Sequence, residues 1–283
     1  MLPETLTNAL PDDKALVAGR FGLFLALIND QFIGRSLIFT GEYSSDEFQL
    51  LASLCLRDHA VLEVGANIGA ISVPLARYLN GIGGKLYCYE PQQTIFNILC
   101  ANMALNGIEN VVLKGIGLGE KFGSSFYELP DYGKLGNYGD VCLTEGLSEN
   151  MDSREIKTLV STLDKELMDE SIPIGLIKID VQGMELNVLK GGEKTIEKHR
   201  PILYFENDIP EKSMALLDFV KSHDYEMYWH LPPIVTENNY FGYDLGDSER
   251  IVSINVLAVP SEKKYKINGL SRVLDEHDHP LTK

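Results

Sequence analysis

Apolar and polar positions alternate in blocks along most of the chain, and each block has the length of one strand or one helix. Short runs dominated by aliphatic and aromatic residues stand at 61–64, 86–89, 111–113, 176–179 and 202–205. Buried parallel strands have this composition, and apolar residues recur at helical spacing between them. The pattern predicts an α/β protein with a mostly parallel, doubly wound sheet. Two last runs, 225–229 and 251–259, predict an antiparallel terminal hairpin.

The most informative block runs from 61 to 91. A strand ends at Val64, the sequence Gly65-Ala66-Asn67-Ile68-Gly69 turns the chain, and a helix is predicted from about Ile68 to Leu79. A second strand then ends at Glu90. In such a βαβ unit the helix N-terminus and the loop amides face a nucleoside, and the acid accepts hydrogen bonds from the ribose hydroxyls.

The turn itself narrows the choice of nucleoside. A dinucleotide site has the pattern G-x-G-x-x-G, and its second glycine lets the backbone approach a pyrophosphate. Here that position is Asn67, which tolerates the left-handed conformation but does not provide this approach. S-adenosylmethionine, which carries no phosphate, therefore fits better than NAD. An NAD-dependent oxidoreductase, and a turn that only packs a helix on the sheet, stay as alternatives.

Residues 1–58 are predicted to form a helical N-terminal cap. The apolar stretch 21–28 is expected to be a buried helix, and 32–39 is strand-like. Ser44 and Glu47 have the spacing of a capping box before a further helix. The stretch 21–28 is too short to span a bilayer, and acidic rather than basic residues precede it. We therefore expect a cytoplasmic protein without a membrane span.

Two later stretches lack periodicity. Residues 115–160 are rich in glycine, tyrosine and acids, which predicts short strands and loops inserted over the active face. Tyr127, Tyr132 and Tyr138 either stack on a sugar or planar substrate or serve as ordinary cover. We expect 123–150 and 230–247 to form the acceptor site and its cover. The main domain then spans 59–260, and the polar tail 261–283 is expected to fray.

Composition excludes several classes of protein. The formal net charge of −16 argues against a nucleic-acid surface, which needs clustered lysine and arginine. The four cysteines show no C-x-x-C spacing, so neither a zinc site nor a disulfide framework is expected. The hydrophobic content of 45% is enough for a sizeable core. Nothing in the sequence indicates an oligomeric state.

Five stretches together resemble the FkbM family of S-adenosylmethionine-dependent methyltransferases. They are LEVGANIGAISVPLA, YCYEPQQTIFNILCANMALN, LIKIDVQGMELNVLKGGE, RPILYFE and SINVLAVP, spread over about residues 41–260. The resemblance implies a Rossmann-like class I methyltransferase fold and methylation of a hydroxyl on a sugar, glycan or small natural product. A non-catalytic cofactor-binding relative remains an alternative. The family form has glutamate at the position of Gln182, which leaves Asp180 and Glu185 as the matching acids.

The resemblance also implies roles for individual residues around S-adenosylmethionine. Asp180 is placed beside the methyl group and Glu90 on the ribose, while Glu63 is placed near the amino-acid end of the ligand. The remaining cofactor-binding candidates are Gly65, Ala66, Asn67 and Gly69 beneath the methionine part, and Gly117 and Leu118 near the adenine.

Three side chains are candidates for the chemistry. Asp180 and Glu206 each follow a parallel strand, and the carboxyl ends of neighbouring strands line the ligand crevice. Transfer of a methyl group to a hydroxyl needs a positioned oxygen and a group that accepts its proton. Asp180 has an alternative role as a contact to the cofactor or to a helix. Glu206 has an alternative role as a contact to a substrate hydroxyl. His230 is the third candidate, because its ordinary pKa suits catalysis near neutral pH.

Two negative patterns complete the prediction. The acids match no metal-binding motif, so no metal is expected. Amino-methylating enzymes carry Asp, Asn or Ser, followed by two prolines and an aromatic residue. The sequence Leu231-Pro232-Pro233-Ile234 has the two prolines but matches neither the first nor the last position. This argues against N-methylation of nucleic acid.

Overall fold

The computed structural model describes residues 10–144, 154–245, 251–275 and 277–282 of the 283-residue chain. Its strands, numbered in chain order, are β1 (Lys14–Gly19), β2 (Gly22–Leu27), β3 (Ala60–Val64), β4 (Lys85–Tyr89), β5 (Val111–Lys114), β6 (Gly117–Leu118), β7 (Gly123–Glu128), β8 (Glu155–Ser161), β9 (Ile174–Ile179), β10 (Ile202–Glu206), β11 (Tyr225–His230), β12 (Asn255–Pro260) and β13 (Ser271–Arg272).

The helices pack on both faces of the central sheet. They are α1 (Ile33–Thr40), α2 (Ser45–Leu54), α3 (Ser72–Gly81), α4 (Gln93–Leu105), α5 (Leu163–Glu166), α6 (Glu185–Lys190), α7 (Glu193–His199) and α8 (Pro210–Ser222). None of the helices in the described ranges combines the length and the apolar character needed to cross a bilayer.

The central sheet has eight strands in the order β13-β11-β12-β10-β9-β3-β4-β5. The five strands from β10 to β5 pair in parallel, whereas β12 runs antiparallel to both β10 and β11. The sequence prediction of a doubly wound sheet with a terminal antiparallel pair is confirmed. The strands at the centre are buried along their whole length, as expected where helices cover both faces.

The inserted region forms a small sheet of its own, in which β8 lies between β6 and β7. This agrees with the predicted short strands, although residues 145–153 of the insertion lie outside the described part of the chain. The segment between β7 and that gap, 129–144, contains two isolated bridges, from Gly136 to Asp30 and from Thr144 to Phe126 of β7, and otherwise runs as a loop.

The prediction for the N-terminal cap was wrong in two places. Residues 22–27 form a strand of a hairpin with β1, and 33–40 form a helix instead of a strand. The strand is stabilised from outside the hairpin, because the Asn102 side chain accepts a hydrogen bond from Leu25 N at 2.6 Å and donates one to Leu25 O at 3.1 Å. The helix ends at Gly41, whose φ of 74° is left-handed.

Three smaller predictions also need correction. The capping box is absent, since the Ser44 hydroxyl donates to the Glu47 carboxylate at 2.8 Å and makes no cap bond to the helix backbone. The helix after the glycine turn begins at Ser72, four residues later than predicted. The helix predicted from Glu185 to His199 is divided at Gly191 and Gly192 into α6 and α7. Gly191 lies so close to Gly119 that a Cβ atom would be 2.0 Å from its carbonyl oxygen.

The C-terminal tail does not fray in its described part. Its short strand β13 pairs with β11, and His279 is only 3% exposed. His279 Nε2 donates to the Asn207 carbonyl at 2.8 Å, and the imidazole lies edge-on to the Trp229 ring at 5.4 Å. A buried ring with a paired nitrogen holds the tail against the sheet.

Candidate functional site

The site lies at the carboxyl edge of β3, β4, β9 and β10, where the chain leaves four parallel strands. Two clefts adjoin there and share five residues, Gly65, Glu90, Gly139, Asp180 and Gln182. The space between atoms is about 480 Å³ in the first cleft and about 960 Å³ in the second, counted together with the open solvent at their mouths. The location matches the rule that open α/β sheets bind ligands outside the carboxyl ends of their strands.

The glycine turn after β3 needs the left-handed conformation at three alternate positions. Gly65, Asn67 and Gly69 have φ values of 84°, 48° and 86°. The expectation that asparagine keeps this turn is confirmed. Gly65 is required a second time, because a Cβ atom there would lie 1.8 Å from the Asp180 carbonyl oxygen.

All five backbone N–H groups of the turn donate within the protein. Gly65 and Ala66 both donate to the Tyr89 carbonyl, at 2.9 and 3.1 Å. The other three donate to nearby oxygens: Asn67 to Glu90 Oε2, Ile68 to the Asn67 side chain, and Gly69 to the Ala66 carbonyl. A phosphate group would need free amides here, so the turn does not fit a pyrophosphate.

Glu90 is held by the backbone on both sides of its carboxylate. Oε2 accepts from Asn67 N at 3.0 Å and Oε1 accepts from Gln92 N at 2.9 Å. Burial raises the pKa of this carboxyl to about 7, against the opposing effect of the two hydrogen bonds. Each carboxylate oxygen keeps a lone pair, so the group can still accept two ligand hydroxyls.

The first cleft has a mostly apolar wall beyond Glu90. Gly117 and Leu118, the candidates for contact with the adenine, line it next to Ile116, and Val141 and Leu143 of the inserted segment face them. Gly117 has little spare room, since a Cβ atom would lie 2.6 Å from the Leu143 side chain. A flat apolar group such as an adenine ring suits these walls.

Asp180 and Glu206 meet where the two clefts join. Phe205 is in register with Ile179, so the next residue on each strand brings the two acids side by side. The Gln182 amide nitrogen lies between them, 3.4 Å from Asp180 Oδ1 and 3.1 Å from Glu206 Oε2. An amide at 182 can donate to both acids, which the carboxylate of the common family form could not do while ionised.

The neighbourhood of Glu206 keeps its carboxyl protonated. Burial and the neighbouring charge of Asp180 raise the pKa of Glu206 far above its ordinary value, and Asp208 adds in the same direction. Adjacent carboxylates cannot both be charged without a large cost. At neutral pH the pair therefore holds one proton.

A buried lysine, which was not among the predicted site residues, lies beside this pair. Lys178 is 4% exposed, and its Nζ lies 3.3 Å from Asp180 Oδ2 and 3.6 Å from Glu47 Oε1. These acids raise the pKa of the ammonium against the effect of burial. The signal in the sequence was a lysine inside an otherwise apolar strand, LIKID, because such a residue is seldom buried without a partner.

The wall of the second cleft comes from three separate parts of the chain. Tyr43 and Phe32 approach from the N-terminal region, Asn137 from the inserted segment, and Ile234 from the loop after β11. The last two belong to the stretches 123–150 and 230–247 that were expected to cover the acceptor. Tyr43 was not anticipated; burial and nearby carboxylates raise its pKa well above the ordinary value, so its hydroxyl stays protonated.

Several predicted residues lie away from the clefts. Glu63 is buried under the turn, where one carboxylate oxygen has no hydrogen-bond partner and burial raises its pKa to about 7. His230 pairs with the Tyr204 hydroxyl at 2.8 Å and is absent from the described lining of both clefts. Burial lowers the pKa of His230. The geometry therefore does not bring His230 to Asp180 and Glu206.

The three tyrosines and Glu185 have structural contacts. Tyr127 is 2% exposed and accepts a hydrogen bond from Gln93 N, and Tyr132 packs edge-on against Tyr138 at 4.9 Å between centroids. None of the three is among the described residues that line the clefts. Glu185 Oε1 accepts from Val181 N and Gly183 N and so closes the loop after β9. Across the described ranges, no three acid, histidine or cysteine side chains converge as a metal site.

The strand order and the glycine turn are those of a Rossmann-like α/β fold, with a ligand crevice at the carboxyl ends of its strands. The chain belongs to the methyltransferase FkbM domain family, whose model matches residues 63–231. No curated protein sequence is similar enough to count as a match.

Solved structures with a similar fold include other methyltransferases. The FkbM methyltransferase from Methylobacillus flagellatus KT has 19% identity and a TM-score of 0.45 over 72% of this chain, which spans only 44% of that protein. The O-methyltransferase TomG from Streptomyces achromogenes, solved with S-adenosylmethionine, has 13% identity and a TM-score of 0.46, covering 77% of this chain and 80% of that one. A precorrin-6y C5,15-methyltransferase from Geobacter metallireducens GS-15 has 12% identity and a TM-score of 0.47, covering 76% and 89%.

Proposed function

We propose that this protein is an S-adenosylmethionine-dependent O-methyltransferase that acts on a hydroxyl of a sugar, a glycan or a small natural product. The observation that carries the proposal is the carboxyl pair of Asp180 and Glu206 at the junction of two clefts. One cleft has the walls and the acid that a nucleoside needs, and the other has room for an acceptor. We also infer that the enzyme is cytoplasmic.

The residues present fit the cofactor. Glu90 would bind the ribose, and the apolar wall at Gly117 and Leu118 would receive the adenine. The turn from Gly65 to Gly69 would lie beneath the methionine part, where its paired amides leave nothing for a phosphate. S-adenosylmethionine, when bound, supplies an electrophilic methyl group and keeps the electron pair of the broken carbon–sulfur bond.

The protein's own residues then have to hold and deprotonate the acceptor. One carboxyl of the pair is charged and accepts the hydroxyl proton as the oxygen gains its methyl group. The other is neutral and holds a hydrogen bond to the acceptor. A charged carboxylate also attracts the positive sulfonium, which favours its binding in a cleft shielded from water.

The rival functions are weaker for separate reasons. An NAD-dependent oxidoreductase needs amides for the pyrophosphate, and those of the turn are already paired. A non-catalytic relative would have no need for a carboxyl pair that shares a proton at the mouth of the second cleft, because that arrangement costs stability.

Calorimetry and turnover together test the proposal. We expect S-adenosylmethionine to bind and NAD to show no heat of binding under the same conditions. Incubation with isotope-labelled methyl donor and a panel of hydroxylated sugars and natural products should give a product heavier by one methyl group. Binding of NAD in place of S-adenosylmethionine would contradict the cofactor. Cofactor binding with no methylation across the panel would favour the non-catalytic relative.

A further inference from the structure

The proposed function leaves open which acid of the pair is the base, and the buried lysine decides it. We propose that Lys178 is a positioning residue that keeps Asp180 charged and leaves the shared proton on Glu206. Asp180 is then the base and Glu206 is the hydrogen-bond donor to the acceptor. This inference rests on the proposed function for its chemistry, but the location of the proton can be tested without turnover.

The distances favour one acid over the other. Lys178 Nζ lies 3.3 Å from Asp180 Oδ2, whereas no ion pair reaches Glu206 from any described residue. Among the described residues, the contacts to the Glu206 carboxyl are the neutral amide of Gln182, at 3.1 Å, and a hydrogen bond shared with Asp180. An adjacent cation stabilises a carboxylate strongly at low dielectric, so the single negative charge of the pair belongs on Asp180.

Lys178 cannot turn away from Asp180, because its surroundings fix it. It projects from the middle of the sheet between cross-strand neighbours Glu63 on β3 and Tyr204 on β10. Glu47 from α2 lies 3.6 Å away on its far side, and is itself held by the Ser44 hydroxyl. The ammonium therefore lies between the N-terminal region and the site.

Other titratable groups face the pair and the lysine from neighbouring elements. Glu185 and Asp208 are the remaining acids whose charges raise the pKa of Glu206, and Asp208 lines the second cleft beside it. Around Lys178, the charges of Glu47 and Glu63 and the hydroxyl of Tyr43 favour the protonated ammonium. Each of these groups makes a proton on Glu206, or a charge on Lys178, more stable.

Infrared spectroscopy locates the proton in the unmodified protein. At about pH 9, ordinary carboxyls and those with a pKa of about 7 are ionised, so a protonated carboxyl band reports the unusual groups alone. We expect this band to shift when glutamate side chains carry ¹³C and to disappear in Glu206→Gln. A band that shifts with labelled aspartate, or the absence of any such band, would overturn the inference.

The pH dependence of kcat/KM for the acceptor, measured at saturating S-adenosylmethionine so that Glu90 stays ionised, tests the role of Lys178. Lys178→Met removes a cation at this distance and should move the acid limb of the profile upward by roughly 1–3 pH units. Lys178→Arg keeps the cation, so its acid limb should lie close to that of the wild type. Lys178→Met leaves the buried Glu47 carboxylate without its cationic partner, which is destabilising. If the single variant does not fold, the double variant Glu47→Gln/Lys178→Met is used in its place.

Lys114→Met is the matched control. It removes a lysine that pairs with Glu166 at 3.0 Å, on the edge strand β5, and should leave the profile in place. A folded Lys178→Met or double variant with an unmoved acid limb contradicts the inference. Failure to bind S-adenosylmethionine in the wild type would instead count against the proposed function, while the infrared result would still locate the proton.

Discussion

Asn67 shows how one residue limits what the turn can bind. It keeps the left-handed backbone that a glycine would otherwise supply, and its side-chain oxygen accepts the Ile68 N–H at 2.7 Å. A glycine at this position would leave that amide free to bind a ligand oxygen. Asparagine therefore both preserves the turn and removes a donor that an anionic ligand could use.

Glu90 is the residue on which cofactor affinity should depend most. Glu90→Ala removes charge-assisted hydrogen bonds to the ribose and should weaken S-adenosylmethionine by about 1.5–3 kcal/mol in calorimetry. Because the ligand binds the ionised carboxylate and the pKa of the free group is raised to about 7, wild-type affinity should also fall as the pH is lowered through 7.

Two variants separate these effects from general damage. Glu90→Gln keeps the shape of the side chain and cannot ionise, so its weaker affinity should lose this pH dependence. Glu109→Gln alters an exposed acid remote from the clefts and should match the wild type. Unchanged affinity in a folded Glu90→Ala would remove Glu90 from the ribose site.

At the scale of elements, the sequence predicted those whose pattern is local. The central strands and the glycine turn have signals within a few residues of one another, and the structure confirms them. The strand Gly22–Leu27 is apolar on both faces, so it has no period that distinguishes a strand from a short helix. Its partners, the Asn102 and Asn106 side chains, lie far away in sequence.

The residues of the site likewise fall into those with a local sequence signal and those without one. Glu90, Asp180 and Glu206 follow strands and could be found from the sequence, because strand ends of a parallel sheet meet at one edge. The pairing of Lys178 with Glu47 depends on α2 reaching across the face of the sheet, which no local pattern encodes. The tail is likewise polar in composition, but the His279 imidazole donates a hydrogen bond to the buried Asn207 carbonyl.

The cover elements should respond to ligands together. The segment 129–144 and the loop 231–245 line the clefts with few backbone hydrogen bonds of their own, so their amides should exchange readily in the free protein. When S-adenosylhomocysteine and an acceptor bind together, exchange should slow in the stretches 123–150 and 230–247.

Helix α7 provides an internal reference for this measurement, because it does not line either cleft. Its exchange should stay constant on ligand binding. Equal exchange in both cover stretches with and without saturating ligands would show that they do not form the acceptor site.

Across the whole molecule, the N-terminal region and the sheet share one core. Val17 and Phe24 of the hairpin belong to the same buried cluster as Leu99 of α4 and Tyr204 of β10. Together with the pair of Glu47 and Lys178, this packing makes the N-terminal region part of the domain that carries the site. Removing it would expose apolar surface and leave a buried lysine short of a partner.

Buried acids make the stability of the whole fold depend on pH. Burial raises the pKa of Glu63, Glu90 and Glu185 to about 7 from an ordinary 4.5. A carboxyl whose folded pKa is raised contributes stability that is fully present below about pH 4.5 and is lost as the pH rises through 7. Glu63 alone accounts for roughly 3 kcal/mol of this change.

Urea unfolding between about pH 4.5 and 8 measures this dependence. Glu63→Gln cannot ionise, so it should gain stability relative to the wild type as the pH rises and approach it at the acid end. Glu109→Gln should follow the wild-type curve. If the free energy of unfolding changes with pH equally in Glu63→Gln and the wild type, then ionisation of Glu63 does not destabilise the folded protein.

The position of β12 has a consequence for how the protein is made. This strand, Asn255–Pro260, fills the space between β10 and β11, which precede it in the chain. During synthesis on the ribosome, β10 and β11 therefore each have one unpaired edge until β12 has been made. Such edges can pair with other chains, so a nascent chain halted before residue 255 is the form that most needs a chaperone.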